Sequence, residues 1–469
     1  MNPLLFREGK QYIIDDLMEI FDVDDRFDIK NIIESLTNVG ILRMSQSYED
    51  IELLLSDVVF DENIKNNSSF YFFKYVGAVQ IKDKYTILVY PKYIDAEKMK
   101  LDSNSNYNKF KLIMDVIERY DRKKIQNMST VPELEKNEEN LLGISLSILK
   151  DFYENGLYQK ENEQIVLNGE GRILWNQTVN RSEAYMVNNT PFYLDLYTKS
   201  YVTDQKDLVT LIQSIIITEI SRNLDTILDI LDMEKVNLIE TTLDEIGNTE
   251  FILNILEKEL NVQFVSKKQD IIKDLIKYIT QNTDEFNEEI TLVGTKEFNL
   301  IWEDICKQIY GNNLNNTFLE TGLKAPASND LNDELKSFIE KPKWDVLDYG
   351  EFISGSTLKL DVLSINNNNI NIYDAKYYNI QFEGNKISGQ PGISDITKQY
   401  LYELVFREVI ELNNLKVTNQ FIMPMDEFKE DNKIVAYIKL NIFLDLGLQP
   451  IGVVLRDCET MYKQYLFMY

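Results

Sequence analysis

Two aspartates and a lysine in the last third of the chain have a spacing that could build a small acidic site. Asp361 lies in the apolar run TLKLDVLSI, and Asp374, thirteen positions later, ends the run INIYDAKYY together with Lys376. Residues i and i+2 of a strand share a face, so Asp374 and Lys376 should project together. A tight turn through Asn366–Asn369 would bring Asp361 beside them.

Two neighbouring carboxylates form a hard oxygen site that suits Mg²⁺. The lysine could orient or deprotonate an attacking water, or offset charge on a phosphate. The same residues admit a simpler interpretation, in which Asp374 and Lys376 form a salt bridge at a strand end and Asp361 is solvated. A carboxylate in an apolar strand is costly unless it is paired or binds metal, which favours the site, and Gln399 on the following helix adds a polar group.

The composition excludes several kinds of chemistry. The 469 residues contain no histidine and only two cysteines, Cys306 and Cys458. Ser-His-Asp and Cys-His catalysis, histidine metal sites, zinc ribbons and a disulfide framework are therefore excluded. The net charge of −28 argues against a free-standing, tight DNA binder.

The localisation expected from the sequence is the cytoplasm. Two lone cysteines fit a reducing compartment. No apolar run approaches the ~20 residues of a membrane span, and the start of the chain lacks the apolar stretch of a signal peptide. We therefore expect no membrane association.

The pattern of apolar residues indicates the elements around the acidic residues. Val76–Ile81 and Tyr85–Tyr90 are rich in aromatic and β-branched residues and predict a hairpin, which Pro91 ends. From 204 to 281 the apolar spacing is that of amphipathic helices. Residues 311–332 are rich in Asn and predict a linker. The last third predicts strand, strand, helix, strand, strand, an α/β arrangement.

We therefore predict an α/β (α+β) multi-domain chain with three parts. Residues 1–200 would form a β-containing N-terminal domain with the hairpin at 70–94, residues 201–320 a helical middle region, and residues 321–469 the α/β domain that carries the acidic site. Lys341 and Lys343, which flank Pro342, are candidate phosphate contacts. Trp175, Trp302 and Trp344 are expected to anchor cores.

The run LKLDVLSI…NIYDAKYY…GQPGISDITKQYLYELVF resembles the PD-(D/E)xK nuclease core of LlaJI-family restriction endonucleases, which are relatives of McrC. The hairpin YVGAVQIKDKYTILVYPKYI independently resembles the N-terminal region of McrC-like proteins, which ends on Pro-Lys. The two blocks cover about a quarter of the chain, in the family's order. One departure is Leu360, which stands where many such cores have proline.

The resemblance implies a Mg²⁺-dependent endonuclease subunit that cleaves double-stranded DNA together with a hexameric McrB-like AAA+ GTPase and stimulates its GTP hydrolysis. Asp361 and Asp374 would bind the metal, and the Ala375 carbonyl would complete the site. Lys376 would position water, while Gln399 would support the site or contact DNA. Glu334 or Glu340 could supply the upstream acidic residue of such cores. Two copies could act together to cut both strands.

Two other functions remain open from the sequence. One is a non-catalytic adaptor that activates a GTPase motor and keeps a degenerate nuclease fold; the intact Asp-Asp-Lys set argues against it. The other is a phosphatase or small-molecule hydrolase that uses the same carboxylates. The stretch GNKISGQP lacks the Lys-Ser/Thr of a P-loop, so GTP hydrolysis would belong to the partner.

Overall fold

The computed structural model describes residues 3–45, 70–81, 84–94, 103–128, 141–203, 207–282, 290–347, 349–366, 368–384, 386–428 and 432–468. The described residues belong to two compact units, Met1–Gly143 with Asn287–Tyr469, and Ile144–Phe286. The first unit is thus built from the two ends of the chain. The domain boundaries near residues 200 and 320, which the sequence suggests, stay a prediction.

The described helices are α1 Ile14–Phe21, α2 Arg26–Asn38, α3 Ser103–Met128, α4 Leu141–Asn155, α5 Trp175–Arg181, α6 Leu208–Asn223, α7 Asp225–Ile230, α8 Leu243–Ile246, α9 Thr249–Val262, α10 Ser266–Asn282, α11 Phe298–Tyr310, α12 Phe318–Thr321, α13 Ile393–Val405, α14 Arg407–Asn413, α15 Asn441–Leu444 and α16 Cys458–Phe467, with a 3₁₀ turn at Leu335–Phe338. None of the helices in the described part of the chain is long and apolar enough to cross a membrane.

The described strands are β1 Leu4–Arg7, β2 Leu42–Ser45, β3 Phe70–Phe73, β4 Val76–Ile81, β5 Tyr85–Tyr90, β6 Glu161–Leu167, β7 Arg172–Ile173, β8 Ala184–Val187, β9 Thr190–Tyr193, β10 Tyr197–Thr203, β11 Ile290–Thr295, β12 Lys343–Val346, β13 Gly350–Ile353, β14 Val362–Asn366, β15 Asn369–Ala375, β16 Gln381–Glu383, β17 Lys386–Ser388, β18 Lys416–Met425, β19 Lys433–Ile438 and β20 Ile451–Asp457. The chain is a mixed α/β protein with several small sheets, and of the sequence prediction this agrees with the α/β class.

The first sheet of the discontinuous unit has the order β1-β5-β4-β11. The antiparallel pair of β4 and β5 confirms the predicted hairpin, with Gly77 opposite Val89. Strand β11 then joins the other edge of β4, so this sheet contains residues from both ends of the unit. Gly294 permits that pairing, because a Cβ there would lie 2.1 Å from the carbonyl oxygen of Val76.

The second sheet has five strands in the order β14-β15-β18-β20-β19. Strands β14 and β15 are antiparallel, whereas β18 runs parallel to both β15 and β20. Leu363 and Ile372 are buried in one core cluster with Tyr402 of α13 and with Phe406, the residue that follows this helix. Trp302 of α11 is fully buried, and its ring N–H donates to the Ile422 carbonyl of β18. The sheet is thus packed by helices from before and after it in the chain.

The segment 311–332 is not the linker that its composition predicts. Phe318 is fully buried and Leu314 and Leu323 are nearly so, in the same core cluster as β14 and β15. The asparagines bind the sheet, since Asn312 Oδ1 accepts from the Leu363 N–H and Asn313 Oδ1 from that of Ile365. These asparagine side chains accept hydrogen bonds from backbone N–H groups of the edge strand β14. Composition alone cannot distinguish such asparagines from those of an exposed loop.

The predictions for the tryptophans and for the C-terminal strands are partly wrong. Trp302 anchors a core, but Trp175 and Trp344 are 57% and 64% exposed. The first strand of the five-stranded sheet begins at Val362 rather than at Thr357. Strand β20 and helix α16 were not predicted, although β20 lies inside the sheet between β18 and β19.

The unit Ile144–Phe286 combines a three-stranded sheet, of order β6-β10-β7, with helices. Helix α6 is mostly buried, and Asp207 caps its N-terminus, where the Asp207 side chain accepts from the Thr210 N–H. The Tyr158 hydroxyl donates to buried Glu259, whose carboxylate also pairs with Lys160. The predicted amphipathic helices are therefore present, together with strands that the sequence did not indicate.

Candidate active site

Asp361 and Asp374 lie at the same end of two adjacent antiparallel strands. The register pairs Val362 with Tyr373, which places Asp361 opposite Asp374, at the ends of β14 and β15. The backbone N–H of Ala375 donates to Asp361 Oδ2 at 3.0 Å. The ammonium of Lys376 lies 2.9 Å from Asp374 Oδ2. The structure therefore brings together the two carboxylates and the lysine that the spacing predicts.

Asp361 is a half-buried carboxylate in an acidic environment. Burial raises the pKa of its carboxyl to about 6, and the carboxylate of Glu303 adds to the rise, while Lys307 opposes it. Glu303 and Lys307 are one turn apart on α11 and form an ion pair at 3.3 Å. A carboxyl with such a pKa is protonated below about pH 6, and a neighbouring cation would stabilise its charged form.

Asp374 is more deeply buried than Asp361 and is held by the lysine. Burial raises the pKa of its carboxyl to about 6; Lys376 lowers it, whereas the carboxylates of Asp361 and Asp395 raise it. Because each aspartate disfavours the charge of the other, the pair would gain from a shared cation. A simple salt bridge at a strand end has one carboxylate and one ammonium, whereas here a second carboxylate, that of Asp361, raises the pKa of Asp374.

Lys376 is bound by two carboxylates rather than by one. Its ammonium also pairs with Asp395 Oδ1 at 3.0 Å, from the first turn of α13. Burial alone would lower the pKa of Lys376, but Asp374 and Asp395 raise it well above the ordinary value. The lysine is thus a fixed positive charge, which suits charge compensation on a phosphate and the orientation of water better than proton abstraction.

Two tyrosines after the lysine connect it to the rest of the unit. The Tyr378 hydroxyl donates to Asp395 Oδ2 at 2.9 Å, which fixes the carboxylate that holds Lys376. The ammonium of Lys92, which follows β5, lies 4.6 Å from the ring centroid of Tyr377 and 5.8 Å from that of Tyr378. The end of the predicted hairpin therefore contacts the strand end that carries the site.

Gln399 is fully buried under the sheet rather than in the site. Its side-chain nitrogen donates to the carbonyl oxygens of Ile372 and Gln420 and to Asn419 Oδ1. A side chain without exposed surface cannot contact DNA in this conformation. Of the two predicted roles, only support of the site through β15 and β18 is compatible with this position, and it stays a prediction.

The structure adds a third candidate for the upstream acidic residue to the two named from the sequence, and the choice among them stays a prediction. Glu334 is paired with Lys336 at 2.6 Å. Glu340 lines the cavity beside Asp361. Glu303, however, acts directly on the pKa of Asp361 and comes from a helix. Its only sequence signal is the Glu-x₃-Lys spacing with Lys307, which any exposed helix face can show.

An open cavity of about 810 Å³ adjoins Asp361. Its wall comes from α11, from the 3₁₀ turn and from the segment between that turn and β14. The lining residues are Glu303, Lys307, Leu314, Lys336, Ser337, Ile339, Glu340, Lys341, Lys343, Ile353, Thr357, Leu358, Lys359, Leu360 and Asp361. The carboxylate is therefore accessible from a space that could admit a substrate.

The donor set fits a hard cation that keeps part of its own hydration. Within the described ranges, no group of three or more acidic or cysteine side chains is placed to hold a metal ion. Mg²⁺, however, is commonly bound by one or two carboxylates together with water and substrate phosphate. Asp361 and Asp374 supply those two carboxylates, and burial raises the pKa of both, so a bound cation would stabilise their charged forms. The role of the Ala375 carbonyl stays a prediction.

Comparison with known proteins identifies related chains. The model of the LlaJI restriction endonuclease family matches residues 75–458. A curated relative, the type II restriction enzyme BsuMI component YdjA of Bacillus subtilis (strain 168), is 26% identical over 407 residues, which cover 84% of this chain and 80% of that protein.

Two solved structures of Thermococcus gammatolerans proteins are also similar. A half-complex from a tetradecameric assembly of McrB AAA+ hexamers with bound McrC matches with a TM-score of 0.44 and 11% identity, covering 99% of this chain and 98% of that one. A cryo-EM structure of the McrBC complex matches with a TM-score of 0.28 and 13% identity. This match covers 67% of this chain and 88% of the chain in that structure.

Proposed function

Because the chain belongs to the LlaJI restriction endonuclease family, we propose that it is the Mg²⁺-dependent nuclease component of a restriction system that cleaves double-stranded DNA. The observation that carries the proposal is the placement of Asp361, Asp374 and Lys376 at the common end of β14 and β15. Two carboxylates with raised pKa values beside a fixed ammonium are suited to phosphodiester hydrolysis. The relative's name, a component of a restriction enzyme, agrees with a role as one subunit among several.

In this proposal the residues have separate tasks. Asp361 and Asp374 hold the metal ion, which would supply Lewis-acid activation of water and of the phosphate. Lys376 stays protonated between Asp374 and Asp395 and stabilises negative charge that develops on the phosphate. Tyr378 positions Asp395, and through it Lys376. Glu303 lies close enough to Asp361 to strengthen the acidic character of the site.

We also propose an McrB-like AAA+ GTPase as the partner. The support is the hairpin β4–β5 with its Pro-Lys end, which resembles the N-terminal region of McrC-like proteins, and the net charge of −28, which disfavours independent binding to DNA. A motor that delivers the duplex would overcome that repulsion. The second candidate function, a non-catalytic adaptor that activates the GTPase, rests on the same hairpin.

DNA cleavage separates the two functions. The wild type, Asp374→Asn and the exposed-residue control Asp445→Asn would be incubated with duplex DNA, Mg²⁺ and GTP, with and without the cognate GTPase. We expect cutting by the wild type and by Asp445→Asn, dependent on the partner, and none by Asp374→Asn. Equal stimulation of GTP hydrolysis by all three proteins without any cutting would establish the adaptor instead.

A further inference from the structure

The cavity beside Asp361 is rich in lysine although the whole chain is strongly acidic. Its wall carries five lysines and three carboxylates, namely Lys307, Lys336, Lys341, Lys343 and Lys359, and Glu303, Glu340 and Asp361. In the complete sequence 77 acidic residues outnumber 49 basic ones. The lysines are thus concentrated where the candidate metal ligand is accessible.

Three of these lysines are not neutralised. Lys307 is paired with Glu303, and Lys336 with Glu334. In the part of the chain that the structure describes, no ion pair involves Lys341, Lys343 or Lys359, and all three are exposed. Unpaired ammonium groups around one opening create a local positive potential that attracts an anion.

The backbone that presents these lysines is fixed at several points. The Lys359 carbonyl accepts a hydrogen bond from the hydroxyl of buried Tyr402. The Glu340 carbonyl accepts from Thr357 Oγ1 at 2.5 Å, and the Pro342 carbonyl accepts from the Ser354 N–H at 2.8 Å. The backbone positions from which the lysines extend are therefore fixed before any ligand arrives, although the ammonium groups themselves are on flexible side chains.

The outer part of the hairpin β12–β13 has the opposite charge. Asp345 lies opposite Glu351 in the pair, and both are exposed. These carboxylates would repel phosphate, so a polyanion can be held only at the base of the hairpin, next to the cavity. Lys343, at the base of the hairpin, lines the cavity together with Asp361, whereas Asp345 and Glu351 do not.

We propose that Lys341, Lys343 and Lys359 bind the phosphate backbone of duplex DNA and lead it across the cavity to Asp361. The inference rests on the proposed nuclease function and adds the path of its substrate. Duplex DNA is favoured over a nucleotide, because the cavity adjoins the candidate phosphodiester-cleaving carboxylates and the chain lacks a glycine-rich phosphate loop. Lysine contacts of this kind position DNA without reading its sequence.

A matched pair of triple variants tests the proposal. Lys341, Lys343 and Lys359 would be changed to Gln in one protein, and the exposed Lys30, Lys324 and Lys439 in the other, so both lose the same charge. Binding of a fluorescent duplex in metal-free buffer would be titrated against salt, for each variant alone and in complex with the cognate GTPase. Each lost phosphate contact should lower the slope of log affinity against log salt by about 0.9. Only the first variant should show this loss, and the corresponding Lys→Arg triple variant should retain binding.

Two outcomes would overturn the DNA path. One is equal binding and equal salt slopes in the two Gln variants. The other is the absence of any contribution of the wild-type chain to duplex binding, both alone and in complex with the cognate GTPase. Displacement of the duplex by GTP at concentrations far below those of competing duplex would assign the lysines to a nucleotide instead.

Failure of the proposed nuclease function would give a different result from failure of the DNA path. Asp374→Asn should bind the duplex as the wild type does in metal-free buffer, yet not cut it. In cleavage assays the cavity variant should raise KM several-fold and leave kcat nearly unchanged. Lysine-dependent binding without any cutting would keep the DNA path and reject the nuclease.

Discussion

The hydroxyl of Tyr377 donates a 2.5 Å hydrogen bond to Glu8 Oε2, which joins two residues 369 positions apart in the sequence. Both side chains are buried, and Tyr377 directly follows the candidate catalytic Lys376. The backbone N–H of Lys92 donates to the same hydroxyl at 3.2 Å. The sheet that contains the N-terminal strands is thus hydrogen-bonded to the strand end that carries the site.

Tyr377→Phe should destabilise the discontinuous unit. Burial, together with the Glu8 carboxylate, raises the pKa of Tyr377 well above its ordinary value, so the hydroxyl remains a donor at all ordinary pH values. Its removal leaves a buried carboxylate with one donor fewer, at a cost of about 1–3 kcal/mol. Urea unfolding would measure the change. The exposed Tyr437→Phe is the control, and equal midpoints for the two variants would contradict the expectation.

Asp361→Asn should stabilise the metal-free protein at neutral pH. The pKa of the Asp361 carboxyl is about 6 in the folded chain against an ordinary 3.8, so the folded state binds this proton more tightly. Stability is therefore lost as pH rises from about 4 to about 6, and the whole penalty is present above that range. Removing the charge should raise the free energy of unfolding at pH 7 by roughly 1–3 kcal/mol.

The pH dependence supplies the control for this prediction. The gain from Asp361→Asn should shrink as the pH is lowered from 7 to 5, because the wild-type carboxyl then takes up its proton. Exposed Asp445→Asn should show no such trend. A gain that is independent of pH would mean that packing rather than charge is responsible.

Mg²⁺ should stabilise the wild type and have much less effect on Asp361→Asn and Asp374→Asn. A ligand that binds only the folded state raises the unfolding temperature by mass action. Differential scanning fluorimetry with Mg²⁺, and then with excess EDTA, would follow the shift and its reversal. Glu303→Gln should keep part of the shift, since Glu303 affects Asp361 without being its partner. An equal shift in all variants would place the metal elsewhere.

Gln399→Leu should reduce stability without preventing metal binding. The change leaves the acceptors on Ile372, Asn419 and Gln420 without this donor in a fully buried place, which costs about 1–3 kcal/mol. Exposed Gln464→Leu on α16 is the matched control. Thermal unfolding with and without Mg²⁺ separates the effects. A lost Mg²⁺ shift at unchanged stability would instead make Gln399 part of the metal site.

The candidate site follows from the sequence where its geometry is local. The two-residue period of a strand and one tight turn suffice to group Asp361, Asp374 and Lys376. Asp395 and Glu303 were missed, because their places depend on how α13 and α11 pack on the sheet, and spacing along the chain does not encode that. The burial of Gln399 has the same cause, since its helical position alone does not show which side of α13 faces β18.

The fold was predictable where one element carries its own signal. The hairpin β4–β5 has strong β-forming residues and a closing proline, and the structure has it. The segment 311–332 was misjudged, because Asn312 and Asn313 bind strand backbone. Strand β20 was missed; it lies between β19, the strand before it in the chain, and β18, an earlier strand. Such pairings depend on the assembled sheet rather than on local composition.

The pairing of β11 with β4 also constrains how the protein forms during synthesis. The ribosome completes residues 144–286 before β11 exists, so the hairpin β4–β5 emerges with one edge lacking its native neighbour. The intervening unit has its own buried helices and can fold while the edge of β4 still lacks β11. An exposed strand edge is a site of unwanted association between nascent chains. Expression should therefore benefit from chaperone binding until residues 290–295 have left the exit tunnel, and slow translation of residues 144–286 should favour aggregation.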